Sequence, residues 1–169
     1  RRALAQLRGR QRRIAFLARL ARRAAREGDP IGRIEIPSIG VDQVVIQGTD
    51  GATLRKGPGH YPETTFPGLG GTVAIAGHRT TYGAPFRNVD QLERGDEIVL
   101  AMPYARFAYA VQRVEIVAPT ATWVTRDVGY ERLVLSACHP LYSAAERIIV
   151  FARLRSVRAR GVAAAATPR

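Results

Sequence analysis

Leu133-Val134-Leu135-Ser136-Ala137-Cys138 is followed, after the eight residues His139 to Glu146, by Arg147-Ile148-Ile149-Val150-Phe151-Ala152. Each apolar run has the length and composition of a buried strand. Antiparallel pairing of the two returns the chain to the end it left. Cys138 and Arg147 then stand together at that end. A cation beside a thiol favours the thiolate. The same guanidinium is placed to stabilise an oxyanion on a carbonyl that sulfur attacks.

Strand patterns continue outward from this pair. Arg33-Ile34-Glu35-Ile36 alternates with period two and is closed by Pro37. Gln43-Val44-Val45-Ile46 follows a turn at Ser38-Ile39-Gly40. Residues 55–71 are rich in Gly and Pro and read as a long loop. Thr72-Val73-Ala74-Ile75-Ala76 is a short buried strand ending at Gly77-His78, and 83–94 reads as loop with a helical turn. Glu97–Met102 and Ala105–Val111 flank Pro103-Tyr104 as a hairpin, and Arg113–Val117 resumes the alternation. Many short strands between turns predict an all-β barrel or sandwich.

The first 29 residues are different. Leu4, Leu7, Ile14, Leu17, Ala21 and Ala25 recur along one face of a helix predicted over 3–26, stopped by Gly28-Asp29-Pro30. Ten arginines against Glu27 give residues 1–27 a charge of +9, out of +12 for the 169-residue chain. Only +3 remains on the other 142 residues, so the basic signal belongs to an appendage and argues against a nucleic-acid-binding domain. The helix is either a stalk or plate on an anionic surface, or a helix whose apolar stripe packs on the domain. Residues 30–155 form the domain itself, and 156–169 read as a basic, flexible tail. The chain has no apolar run of about 20 residues to cross a membrane and no signal-peptide core. It does not begin with Met, as expected of a fragment or processed form.

One cysteine excludes an internal disulfide. Free Cys is often simply a small buried hydrophobe, so Cys138 gains chemical meaning only from its neighbours. Acyl transfer through sulfur needs a proton donor for the departing amine and a base for the incoming one. An imidazole suits both roles, and His78 closes a strand as Cys138 does. His60, between Gly59 and Tyr61, reads as a loop histidine bonding its neighbours. His139 is expected on the opposite strand face from Cys138, as a structural or cleft-rim residue. Tyr142 and Ser143 read as loop residues, and Trp123 as a packing residue.

Three segments carry a family resemblance: Thr72–Phe86 (TVAIAGHRTTYGAPF), Leu133–Arg147 (LVLSACHPLYSAAER) and Gly57–Pro62 (GPGHYP). The chain resembles the sortases over residues 31–155, most closely class E, with class F the near alternative. The resemblance implies an eight-stranded β-barrel with short helices. It implies a cysteine transpeptidase that cleaves an LPXTG-like or LAXTG signal between Thr and Gly through a thioester. The acyl group passes to an amine of a cell-wall precursor. Cys138 matches the nucleophile, His78 the general acid/base, and Arg147 the residue that orients substrate and stabilises the oxyanion. Tyr82 matches a tyrosine linked to class E signal preference. Ala137 stands where the family usually has a hydroxyl before the cysteine. Ala137 and His139 are expected substrate contacts with Tyr82. The resemblance also implies a membrane anchor lying outside this chain and a site on the extracytoplasmic face. No acidic cluster suggests calcium, and no metal, cofactor or nucleic acid is expected.

Overall fold

Alternating apolar residues in strands too short to bury both faces alone force a sheet to close on itself. The computed structural model shows that closure; it describes residues 1–139 and 143–160, without the His139 side chain. The strands are β1 (Pro30–Ile36), β2 (Val41–Gln47), β3 (Gly59–His60), β4 (Thr72–Ala76), β5 (Glu97–Ala101), β6 (Ala105–Val117), β7 (Arg132–His139) and β8 (Glu146–Ala159). They close in the order β1-β2-β3-β4-β7-β8-β6-β5, with β5 pairing back on β1. The expected eight-stranded all-β barrel is therefore the fold. Its interior is filled by side chains such as Ile34, Ile75, Leu100, Phe107, Leu135 and Val150.

Three features depart from the sequence reading. The Ala105–Val111 and Arg113–Val117 segments are one strand, β6, with a register shift between Val111 and Arg113. A bulge of this kind interrupts the period-two pattern without ending the strand. The predicted tail also begins too early. Ser156–Ala159 complete β8, pairing with Ala105–Ala108 of β6. The long β6 offers those residues backbone partners, which outweighs their polar composition. Within the predicted 55–71 loop, β3 pairs parallel with β2 and antiparallel with β4. Residues 161–169 of the expected tail and Tyr142 lie outside the described residues.

The helix α1 spans Arg2–Ala24. Ile14 and Ala18 are buried in the main core, with Leu17, Ala21 and Ala25 packed beside them. The apolar stripe thus packs on the barrel. Leu4 and Leu7, expected on that stripe, are exposed. Close approach is possible because Gly68 faces the helix: a Cβ there would lie 2.9 Å from Ile14 Cγ2 and 3.5 Å from Ala18 Cβ. Gly68 also has φ +102°, a conformation that favours glycine. The short helix α2 (Gly51–Lys56) is capped by Asp50, whose Oδ1 accepts the Thr53 amide at 2.7 Å.

Candidate active site

β4 and β7 run parallel, and their pairs from Thr72↔Arg132 to Ala76↔Ser136 keep a constant offset of 60 residues. The Gly77 amide extends the ladder by donating to the Ser136 carbonyl at 3.0 Å. One residue further on, the same offset sets His78 level with Cys138. Parallel strands share a C-terminal rim and lie about 4.8 Å apart. The barrel therefore brings to one rim two residues that lie far apart in the chain. β8 brings the third, because Cys138 and Arg147 are directly opposed in the antiparallel β7–β8 register. Arg147 Nη1 lies 3.6 Å from Cys138 Sγ.

Strand alternation decides which side chains share this face. Leu133, Leu135 and Ala137 point into the main core, while Val134 packs outward with Ala74, Val124, Ile149 and Phe151. Cys138 is on that outer side and half-buried. Ala137 is 4% exposed and belongs to the core. The expectation that it touches substrate is corrected by the pleat, since adjacent residues of a strand face opposite ways. The outward neighbour is Ser136, one position earlier. The His139 side chain lies outside the described residues.

A groove of about 220 Å³ runs along the outer face from Arg147, between β7 and the 118–125 segment. Its floor includes Ala74, Val134, Ser136 and Ile149, and Val117 and Thr122 are on its walls. Trp123 stacks on Phe151 at 6.0 Å between ring centroids, the packing role expected of it.

His78 is half-buried, and its Nε2 is buried with no hydrogen-bond partner among the described residues. A buried imidazole nitrogen without a partner, on the same rim as a thiol, is available to carry a proton in either direction. The His78 and Tyr82 rings are 5.2 Å apart, and the Arg55 guanidinium lies 5.7 Å from the Tyr82 ring. Tyr82 is 56% exposed and adopts φ 52°, and Gly83 and Ala84 also have positive φ. Three left-handed residues in succession make a tight turn that holds the tyrosine beside the histidine.

His60 is different from His78. Its Nδ1 meets the Gln47 side-chain amide at 2.7 Å, and its Nε2 donates to the Thr65 carbonyl at 2.8 Å. Both ring nitrogens are engaged, as expected for a structural histidine. Among the described residues, no group of three or more His, Cys, Asp or Glu is arranged to hold a metal ion.

Arg79 is a site residue whose role was not legible in the sequence. Its guanidinium is buried and donates to the Cys138 carbonyl at 3.2 Å and to the Arg87 carbonyl at 3.2–3.3 Å. It also forms an ion pair with Asp90 at 3.2 Å. The available signal was a charged residue inside a segment otherwise reading as buried strand and loop.

Residues 34–155 match the family described as the Sortase domain. Sortase D of Bacillus subtilis (strain 168) is 33% identical over 130 residues, 75% of this chain and 64% of that relative's length. Sortase E of Streptomyces avermitilis matches with 34% identity and a TM-score of 0.73, over 85% of this chain and 97% of that one. Sortase E1 of Streptomyces coelicolor, solved with a tripeptide in its active site, matches with a TM-score of 0.76 at 25% identity, over 86% of this chain and 98% of that one.

Proposed function

The chain belongs to the sortase family of transpeptidases, and from that membership we propose that it cleaves a sorting signal through a Cys138 thioester. The signal is LAXTG-like or LPXTG-like, cut between Thr and Gly. The observation that carries the reading is the cross-strand pair of Cys138 and Arg147, 3.6 Å apart, with His78 just past the end of the adjoining parallel strand.

Cys138 attacks the Thr carbonyl as thiolate. The Arg147 guanidinium donates to the oxyanion of the tetrahedral intermediate, where a charged donor is worth most. His78 gives a proton to the departing glycine amine, and the C–N bond breaks to leave a thioester. An amine of a cell-wall precursor, losing its proton to His78, then attacks the thioester carbonyl. The thiolate leaves and the new amide is complete. The groove beside Arg147 takes the residues preceding the scissile bond; its apolar floor suits the leading leucine, and Ser136 offers a hydroxyl to the peptide backbone. Tyr82, beside His78, contacts the signal at the rim.

The substrates are sorting-signal segments of secreted surface proteins, and the enzyme works at the extracytoplasmic face of the membrane. No helix among the described residues is long and apolar enough to cross a bilayer. Nucleic acid is not a partner in this reading, because the excess charge lies on the helix remote from the catalytic rim.

The test is intact mass after incubation with LAXTG and LPXTG peptides, with and without an amine acceptor. The expected result is an acyl adduct ending at Thr, absent in Cys138→Ala, that becomes an amine-capped product when acceptor is added. Hydrolysis alone in excess acceptor would reassign the protein as a peptidase. No adduct and no cleavage with either peptide in folded protein would remove the reading.

A further inference from the structure

The side of α1 turned away from the barrel carries a second apolar feature. Phe16 and Leu20 are 55% and 46% exposed. At 100° per residue they lie on one line, opposite the buried Ile14 and Ala18. Arg12, Arg13, Arg19 and Arg23 each sit three or four positions from one of them and are exposed. None of the helix's arginines forms an ion pair among the described residues. An exposed Phe and Leu set among arginines suit an interface that takes apolar side chains and anions together.

We propose that this outward face seats α1 on an anionic lipid surface and turns the catalytic rim away from the bilayer. Charge complementarity names the occupant: residues 1–27 carry +9, and arginines near an anionic leaflet are drawn to its headgroups. A soluble polyanion would use the arginines but not Phe16 and Leu20, whereas a helix lying in the lipid interface inserts its large apolar side chains between headgroups.

The orientation follows from what α1 rests on. Ile14 and Ala18 face Gly68, in the loop that feeds the start of β4. The amides of Gly68 and Gly70 donate to the Glu131 carboxylate, which stands directly before β7. The helix therefore closes the end of the barrel where β4 and β7 begin. His78 and Cys138 lie at the other end, six residues along each strand, a rise of about 20 Å. Docking the helix holds the thiol at the far end of the barrel from the surface, with its groove clear of lipid.

Co-sedimentation of the full chain with vesicles tests this directly and needs no peptide, so it stands or falls separately from the acyl-transfer reading. The vesicles are phosphatidylcholine alone and phosphatidylcholine with phosphatidylglycerol. The expected result is binding to the mixed vesicles only, weakened tenfold or more at about 0.5 M salt. The triple variant Arg12→Glu, Arg19→Glu, Arg23→Glu abolishes it. Phe16→Ser with Leu20→Ser weakens it at least fivefold with every charge in place. Both variants change outward residues, and their melting temperatures should stay within a few degrees of the parent. Equal binding to both vesicle types overturns the proposal. So does binding that ignores the Phe16 and Leu20 changes, or binding to soluble polyphosphate with none to vesicles.

Discussion

Arg79 shows how one buried side chain can set the position of others. Its fork reaches the Cys138 carbonyl, the Arg87 carbonyl and the Asp90 carboxylate from the position next to His78. It thereby ties the histidine turn to the peptide of Cys138. A lysine has the charge but not the planar fork, and cannot hold these acceptors together. Arg79 is thus a positioning residue, acting through Cys138 and His78. Arg79→Ala is expected to lower kcat for peptide cleavage by about 10²-fold, the scale of a misplacement near 1 Å. KM should move far less. The pH profile of Cys138 alkylation should change in Arg79→Ala and partly recover in Arg79→Lys. A loss of melting temperature with an unaltered alkylation profile would reduce Arg79 to a packing role. The same scale separates the two histidines. His60 and His78 both follow glycine in the sequence, and only their partners tell them apart.

At the scale of the element, the end of β4 is shaped by what it cannot accommodate. A Cβ on Gly77 would lie 2.5–2.9 Å from the Phe86 ring. Phe86 is fully buried, so neither group can yield cheaply. The glycine therefore lets the strand exit pass under Phe86 and deliver His78 to the rim. Its backbone also returns to the sheet, since the Phe86 amide donates to the His78 carbonyl at 3.0 Å. Gly77→Ala is expected to cost about 1–3 kcal/mol, the usual range for overpacking, and to depress peptide cleavage along with it. Adding Phe86→Leu should recover part of the stability lost in a double-mutant comparison by thermal melting. Additive losses would show that Phe86 is not the obstacle. The Gly-His pair was legible as a strand end, but the reason for the glycine was not. Phe86 is nine residues away, and only the folded turn sets it over the strand.

For the whole molecule, the fold turns on long-range pairing, and His60 reports on it. The ring bridges β3 to Gln47 of β2 and to Thr65. Burial holds its pKa down from the ordinary 6.5 to about 4. Between those values the unfolded chain binds a proton that the folded chain does not. The stabilising contribution is therefore complete above pH 6.5, declines as pH falls, and is gone below about 4. Its full size is about 3 kcal/mol from the shift. Thermal melts from pH 7 to pH 4 should show that decline, and His60→Gln should melt lower at pH 7 with a shallower slope. An unchanged slope would assign the acid sensitivity elsewhere. The sequence by itself determined the strand class of the chain, the appended basic helix, and the pairing of Cys138 with Arg147, because a hairpin is a local contact set by alternation and loop length. It also offered His78 at a strand end, and the family resemblance joined it to the other two. Only the tertiary structure decided that β4 lies parallel to β7 with an offset of 60, that Ala137 faces the core rather than the groove, and that α1 closes the end remote from the thiol. Each of these depends on elements that meet across the barrel, where spacing along the chain carries no information about who the neighbour is.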